Sequence, residues 1–322
     1  MPSRRDLLLR ALGSALLTAC VAASASCSSS EPASDTQTDD VTASVIRFAA
    51  IGDTGSGSND QRRVAAALAD VCEGYGCDFV LLLGDNFYEN GVASASDPLF
   101  ESRFERMYAR VDAPFYVVLG NHDYGGDGWG REAARARAQV AYSERSSRWK
   151  MEREYYKLTY KHASLFAMDT TMQLFGDAQR QEEEMGAWVR ASRATWKIAF
   201  GHHPYLSNGD HGNAGSYDGE ADPLYAGAGV KGFFDRVMCG NVDLYLSGHD
   251  HSLQWMERTC NGTELAVSGA GGRVGDLPGR NATRFAAAEL GFMYVTIRGK
   301  KLVAEVIDAD RRVLYTRTIT KP

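Results

Sequence analysis

From Val45 onward, short apolar runs alternate with stretches in which apolar residues recur every three or four positions. The runs have the length and composition of buried strands, and the stretches between them have the period of helices. This alternation is typical of a layered α/β protein. The predicted strands are 45–51, 79–83, 115–119, 165–168, 196–200 and 242–246, followed without intervening helices by 265–268, 292–298, 302–308 and 313–319.

The periodic stretches predict three helices. The first has its cap at Asn59 or Asp60, and the second begins at Asp97-Pro98, where a capping residue precedes a first-turn proline. The third covers about 178–191. The residues expected on the buried faces are Val64, Leu68 and Val71 in the first helix and Phe100, Phe104 and Met107 in the second. No linker interrupts this pattern, which predicts one domain over 45–322.

The N-terminal residues have a different character. A twin-arginine pair precedes an apolar run that is too short to span a bilayer permanently, so 1–20 is predicted to be a signal peptide. Leu17-Thr18-Ala19-Cys20 resembles a bacterial lipobox, which predicts a lipid anchor at Cys20. Plain cleavage near Ala22 is the alternative. Residues 21–44 are rich in serine and threonine and are predicted to form a flexible tether.

These features predict a protein exported to the periplasm, the outer membrane or the surface of a bacterial cell. Mass spectrometry of the mature N-terminus tests the lipid anchor, and an unlipidated start at Val21 or Ala23 would contradict it. The net charge of −6 argues against a nucleic-acid scaffold as partner, because a phosphate backbone needs a basic footprint. With 44% apolar residues the chain has ample material for a hydrophobic core.

Two of the six cysteines precede the predicted domain, and the other four form two pairs along the sequence. Cys72 lies near Cys77, and Cys239 and Cys260 flank a predicted pair of strands. In an oxidising compartment both pairs are predicted to be disulfides. A zinc site is the alternative, but neither spacing matches the usual zinc-finger patterns.

Five predicted strands end in a glycine followed by polar residues. The five blocks are Gly52-Asp53, Gly84-Asp85-Asn86-Phe87-Tyr88, Gly120-Asn121-His122-Asp123, Gly201-His202-His203 and Gly248-His249-Asp250-His251. Strands of an open α/β sheet place their carboxyl ends at a common edge, where ligands bind. One such block is most often only a turn, whereas five of them predict a shared crevice.

Each of these residues also has an ordinary structural explanation. Tyr88 taken alone is better explained as an aromatic residue packed beside Phe87. Asn121 alone fits a turn, and His202 or Asp53 alone fits a cap. These explanations must all hold at once for the site to vanish, and that combination is improbable.

Together the five blocks resemble the calcineurin-like metallophosphoesterase superfamily, and their details are similar to the small, single-domain, tartrate-resistant type of purple acid phosphatase. The first block, Asp53-Thr54-Gly55, lacks the histidine of the general superfamily pattern, and Tyr88 stands three residues after Asp85. The resemblance covers the whole domain and includes Ser268-Gly269-Ala270-Gly271. It implies a four-layer sandwich in which two mixed β-sheets pack face to face and are flanked by helices.

The resemblance also implies a dinuclear metal centre. Its first site would comprise Asp53, Tyr88 and His251, with Asp85 bridging to a second site of Asn121, His202 and His249. Hard carboxylate and phenolate oxygens suit Fe(III) at the first site, and the amide and imidazoles suit Fe(II), Zn or Mn at the second.

Two further histidines are expected to act on the substrate. His122 and His211 would bind phosphate oxygens or protonate the leaving alcohol, a role worth about 10²–10⁴ in rate. His203 has a structural role or lies at the substrate's edge, and Asp123 and Asp250 are expected to support the site by hydrogen bonds.

The implied activity is hydrolysis of small phosphate monoesters by a metal-bound hydroxide, with an acidic pH optimum, in a monomer. A phosphodiesterase or nucleotide-cleaving member of the superfamily is the nearest alternative, and comparing monoester with diester turnover separates the two. A lipoprotein that binds phosphate or metal without catalysis is a second alternative, which absence of turnover in the metal-loaded protein would support.

Overall fold

The computed structural model describes residues 45–175, 178–279 and 281–322. The predicted signal peptide, the lipid anchor at Cys20 and the tether therefore lie outside the described residues. Within the described residues, none of the helices combines the length and the apolar character that a membrane span requires.

Fourteen strands in the described part of the chain form two seven-stranded sheets. In chain order they are β1 (Ile46–Ile51), β2 (Phe79–Leu83), β3 (Phe115–Val118), β4 (Trp149–Lys150), β5 (Tyr156–Tyr160), β6 (Ala163–Ala167), β7 (Trp196–Phe200), β8 (Leu244–Ser247), β9 (Leu253–Met256), β10 (Glu264–Ser268), β11 (Thr283–Ala287), β12 (Gly291–Arg298), β13 (Lys301–Asp308) and β14 (Val313–Thr320). The α-helices are α1 (Asn59–Tyr75), α2 (Ala133–Tyr142), α3 (Thr170–Leu174), α4 (Gln179–Ala191) and α5 (Ala228–Phe233).

Both sheets are mixed. The first has the order β14-β13-β12-β1-β2-β3-β4, in which β1 to β4 run parallel and β12 to β14 form an antiparallel meander. The second has the order β11-β9-β10-β8-β7-β6-β5, with a parallel centre of β6, β7, β8 and β10. Because neighbouring strands are parallel, the polar blocks that follow β1, β2 and β3 lie at one edge of the first sheet. The blocks that follow β7 and β8 lie at one edge of the second sheet.

The two sheets face each other across one hydrophobic core. Phe48 of the first sheet and Trp255 of the second belong to the same buried cluster, which also contains Leu68 of α1. A second cluster contains Met185 of α4 and Phe233 of α5 together with outward-facing residues of the second sheet. Helices therefore cover the outer faces of the sheets, and the predicted four-layer α/β sandwich is confirmed.

Each predicted strand is present, with its ends moved by two residues or fewer. The helix caps differ more. α1 is capped by Ser58 rather than by Asn59 or Asp60, because the Ser58 hydroxyl accepts the Gln61 amide at 3.2 Å. The second predicted helix begins as expected after Asp97, but its body is a π-helical turn over Phe100–Glu105.

Both predicted disulfides are present. Cys72–Cys77 joins the last turn of α1 to the segment before β2, and Cys239–Cys260 joins the segments that precede β8 and β10. Cross-links of this kind stabilise mainly by limiting the unfolded chain, and the effect grows with the length of the closed loop.

Removing the longer cross-link is expected to cost more stability than removing the shorter one. The sequence separations are 21 residues for Cys239–Cys260 and 5 for Cys72–Cys77. Paired serine substitutions should lower the free energy of unfolding by about 3 and about 2 kcal/mol, respectively. Urea unfolding of the oxidised protein measures both, and a larger loss at Cys72–Cys77 would contradict the loop-length argument.

Candidate metal centre

The residues after β1, β2, β3, β7 and β8 meet at one edge of the sandwich. Asp53, Asp85 and His202 are buried there, and potential ligand atoms of the three lie within 4.8 Å of one another. Asp53, Asp85 and His249 adopt left-handed backbone conformations, with φ of 58°, 52° and 71°. Such conformations are uncommon outside glycine and aim each side chain sharply away from its strand.

One half of the cluster consists of Asp53, Tyr88 and His251. The Tyr88 hydroxyl donates to Asp53 Oδ1 at 3.0 Å and lies 3.2 Å from His251 Nε2. His251 Nε2 is 3.5 Å from the same oxygen of Asp53. The predicted ligand atoms of the first site therefore lie together.

The other half is organised around His202. His202 Nδ1 lies 2.9 Å from the Leu83 carbonyl oxygen, which can only accept, so Nδ1 carries the proton and Nε2 presents its lone pair. His202 Nε2 lies 2.9 Å from Asn121 Oδ1 and 3.1 Å from His249 Nδ1. Asn121 Nδ2 donates to the Gly128 carbonyl at 3.2 Å, which turns its oxygen toward the cluster.

Asp85 lies between the two halves. One of its oxygens is 3.5 Å from His202 Nε2, and its carboxylate also interacts with Tyr88. Carboxylate oxygens, an amide oxygen and imidazole nitrogens thus converge on one region, and cations bind such a set. His202 Nδ1 donates to a backbone carbonyl, and metal-binding histidines commonly donate their other ring N–H in this way. The residues present therefore fit two adjacent metal ions.

The electrostatics differ among the predicted ligands: burial lowers the pKa of His202, but the charges of Asp85 and Asp53 outweigh this effect and raise it. Burial, followed by the charges of Asp53 and Asp85, raises the pKa of Tyr88 well above its ordinary value. Burial, followed by neighbouring histidines, lowers the pKa of His249 well below its ordinary value and keeps its imidazole neutral. A neutral imidazole is the form that binds metals, whereas a phenolate at Tyr88 requires a cation beside it.

Asp123 supports the cluster through hydrogen bonds to the loops that carry its residues. Its carboxylate accepts the Gly120 amide at 2.8 Å, the Asn86 amide at 3.1 Å and the Gln139 side chain at 2.8 Å. Burial and the charge of Asp85 raise the pKa of Asp123 to about 6. This network ties the loops after β2 and β3 to α2, so it fixes the direction of the residues on both loops.

His122 and His211 lie at the pocket that opens above the cluster, which has a volume of about 170 Å³. His122 Nδ1 is 2.7 Å from the Glu89 carbonyl oxygen, so it donates there. His211 Nδ1 is 2.7 Å from Asp218 Oδ1, and its ring stacks on His249 with centroids 4.1 Å apart. Burial lowers the pKa of His211, but the charges of Asp218 and Asp250 outweigh this effect and raise it to about 8.

His203 is buried, and its Nδ1 lies 2.8 Å from the Thr170 hydroxyl. His203 also lines the pocket. Asp250 accepts the His211 amide at 2.8 Å, in the supporting position expected of it. A larger cavity of about 820 Å³ beside α2 and α4 contains none of the predicted site residues.

Several residues near the site carry no signal in the sequence. Arg273 places its guanidinium 3.9 Å from the centre of the Tyr88 ring and 3.7 Å from Glu89. Trp129 and Tyr225 line the same pocket as the predicted metal ligands. They lie in irregular segments whose positions depend on tertiary structure, so no spacing rule identifies them.

Replacing Gly120 by Ala is expected to disrupt the centre. A β-carbon at this position would lie 2.1 Å from Asp85 Oδ1 and 2.3 Å from the Asp85 amide nitrogen, so the carboxylate must move. Displacement of a catalytic group by about 1 Å costs roughly a hundredfold in rate, and we expect that loss in kcat together with a lower metal content. Gly74→Ala is the matched control, since nothing lies within 4 Å of its added carbon. Normal activity in Gly120→Ala would contradict the packing described.

Several known proteins are similar to this chain. The family model described as calcineurin-like phosphoesterase matches residues 46–253. Purple acid phosphatase 3 of Arabidopsis thaliana is 31% identical over 298 residues, which cover 84% of this chain and 76% of that protein. Tartrate-resistant acid phosphatase type 5 of Rattus norvegicus is 30% identical over 322 residues, covering 87% and 91%.

Solved structures share the fold. GAP50, the anchor in the inner membrane complex of Plasmodium, has a TM-score of 0.69 at 21% identity, covering 86% of this chain and 89% of that one. The purple acid phosphatase PPD1 from yellow lupin (Lupinus luteus) seeds has a TM-score of 0.66 at 18% identity, covering 86% and 54%.

Proposed function

The chain belongs to the calcineurin-like phosphoesterase family and is an acid phosphatase, and we propose that it hydrolyses small phosphate monoesters at a dinuclear Fe(III)–M(II) centre, with an acidic pH optimum. The observation that carries the proposal is the convergence of ligand atoms around His202 Nε2 beside the group formed by Asp53, Tyr88 and His251. A phosphoryl group is recognised best by such concentrated positive charge.

The chain offers distinct donor sets for the two ions. Fe(III) would be held by Asp53, Tyr88 and His251, and Fe(II), Zn or Mn by Asn121, His202 and His249, with Asp85 shared between them. When bound, a trivalent and a divalent cation would offset charge on the phosphoryl oxygens and lower the pKa of water enough for attack in acid.

His211 supports binding of the phosphoryl group. Its pKa of about 8 means that the imidazole is protonated at acidic and neutral pH, and this positive charge lies at the pocket. Asp218 holds the ring through Nδ1, which leaves Nε2 available to a phosphate oxygen. Binding that depends on this charge is present below about pH 8 and is lost as the pH rises through that value.

His122 supports proton transfer to the leaving alcohol. Its Nδ1 is engaged by the Glu89 carbonyl at 2.7 Å, so Nε2 is the nitrogen that remains for substrate. The ring packs against Tyr88 with centroids 4.6 Å apart, which fixes its orientation next to the predicted first metal site. A histidine fixed in this way can deliver a proton to an alkoxide or phenoxide as the ester bond breaks.

The test compares a phosphate monoester with the matching diester across acidic to neutral pH, together with elemental analysis of the protein as purified. The pocket of about 170 Å³ is lined by His122 and His211, so we expect the monoester to be favoured by about a hundredfold in kcat/KM. Equal turnover of the two would favour the phosphodiesterase alternative. Absence of iron would contradict the proposed metal pair.

A further inference from the structure

An aromatic pair lies at the mouth of the pocket and has no part in the chemistry proposed above. The side chain of Trp129 is 55% exposed, and its ring lies 5.7 Å from the half-buried ring of Tyr225. The planes meet at 66°, which is an edge-to-face arrangement. Both rings line the same pocket as Asp85 and His249.

Trp129 follows a turn that is attached to the predicted metal ligand Asn121. Its amide donates to the Gly126 carbonyl at 3.1 Å, which closes a tight turn over Gly126–Gly128. The Gly128 carbonyl accepts the Asn121 side chain at 3.2 Å, and a β-carbon on Gly128 would lie 2.7 Å from Asn121 Nδ2. The indole therefore follows directly after a residue that contacts a predicted metal ligand.

Tyr225 reaches the pocket from a separate segment. The carbonyl of the next residue, Ala226, accepts the Tyr217 amide at 3.1 Å, and the Tyr217 ring lies 6.0 Å from that of His249. A β-carbon on Gly227 would lie 2.3 Å from the Tyr217 ring, so the backbone packs directly on that ring. Two independent attachments thus bring Trp129 and Tyr225 together.

The pocket lining consequently has two chemically different parts. Predicted metal ligands and histidines form one part, and Trp129, Tyr225 and Leu174 form an apolar part, of which Trp129 is exposed to solvent. Because the pocket holds only about 170 Å³, the ester substituent of a phosphoryl group held by the predicted ligands would lie within reach of these aromatic rings. An exposed indole gains from being covered by a flat apolar ring and gains little from a hydroxylated alkyl chain.

We propose that Trp129 and Tyr225 form a leaving-group subsite that binds an aromatic ring attached directly to the phosphate ester. They are thus specificity-determining residues that favour aryl over alkyl phosphate monoesters. This inference rests on the proposed monoester hydrolysis and adds to it the class of leaving group and the residues that recognise it.

The experiment measures kcat/KM for phenyl phosphate and for glycerol phosphate in the wild type and in Trp129→Ala. Phenol is the better leaving group in any enzyme, so the quantity of interest is the change in the ratio of the two values. We expect Trp129→Ala to lower the phenyl-to-glycerol ratio about tenfold, mainly through KM for phenyl phosphate. Tyr225→Ala should lower the ratio in the same direction.

Two further variants separate recognition from structural damage. Trp129→Phe keeps a flat ring and should retain most of the ratio. Tyr75→Ala removes an aromatic side chain that is 69% exposed at the end of α1, away from the pocket, and should leave both substrates unaffected. An unchanged ratio in Trp129→Ala, or an equal loss on both substrates, would overturn the subsite. A larger loss of kcat/KM for adenosine monophosphate than for phenyl phosphate would also overturn the subsite, because a ribose separates the adenine ring from the ester.

Binding measurements distinguish failure of the subsite from failure of the proposed function. Phenylphosphonate and methylphosphonate cannot be hydrolysed as esters, and calorimetry gives their affinities for the wild type and for Trp129→Ala. A preference for phenylphosphonate that falls about tenfold in the variant supports the subsite even in a protein that turns over neither ester. No preference in the wild type overturns it, even where monoester hydrolysis is observed.

Discussion

Replacing Asp85 by Asn is expected to lower kcat for phosphate monoesters by about a thousandfold and to reduce the content of both metals. Asp85 is buried between Tyr88 and His202, and its Oδ1 accepts the His122 amide at 3.0 Å. An amide keeps the size of the side chain but removes the negative charge that two cations would share. Steady-state kinetics and elemental analysis of the same preparation measure both effects.

Two other carboxylates provide controls for this result. Asp123→Asn alters a buried group that supports the loops without facing the cluster, and a loss of about 10- to 100-fold is expected. Asp243→Asn alters a carboxylate paired with Lys321 at 2.7 Å and should leave the kinetics unchanged. Wild-type activity and metal content in Asp85→Asn would show that the metals are not held as proposed.

Replacing Tyr88 by Phe is expected to abolish the visible absorption band that a tyrosinate on Fe(III) produces. The hydroxyl lies 3.0 Å from Asp53 and 3.2 Å from His251, so an ion bound by those two residues would contact it. Burial and two carboxylates raise the pKa of the phenol well above its ordinary value, so only a bound cation would deprotonate it near neutral pH. An absorption spectrum of each protein as purified is the measurement.

Tyr217→Phe is the matched control for colour. Tyr217 is also buried, and its ring lies 6.0 Å from that of His249, but its hydroxyl donates to the Pro204 carbonyl rather than to a predicted ligand. We expect this variant to keep the absorption of the wild type. Colour that persists in Tyr88→Phe would exclude Tyr88 as the iron ligand.

Most of the strands that the sequence predicts have continuous apolar character. β2 is buried along its whole length, and its continuous apolar sequence predicts a strand without ambiguity. β5 and β11 are edge strands in which buried or half-buried residues alternate with exposed ones, and charged residues such as Lys157 and Arg284 interrupt their apolar pattern. The two-residue β4 is too short to carry a pattern, and β9 follows the last polar block so closely that the two merge.

The side chains that cluster at the candidate site are predictable for a related reason. They directly follow strands, so the order of the strands in the sheets determines where they meet. Gln139 lies on α2, 16 residues after the Asp123 that it contacts, and Asp218 lies on a loop whose course depends on packing. Trp129 and Tyr225 are 96 positions apart in the chain, and local sequence contains no information about their contact.

The left-handed backbone at Asp53, Asp85 and His249 lowers the stability of the fold at positions whose side chains the activity requires. Each conformation costs a residue with a side chain about 1–2 kcal/mol, and glycine avoids this cost. Three such positions together amount to a large fraction of the 5–15 kcal/mol by which a typical domain is stable. Directed evolution that selects for heat resistance alone will therefore accumulate inactive proteins with glycine at these positions, and any thermostable version of this enzyme must gain its stability elsewhere.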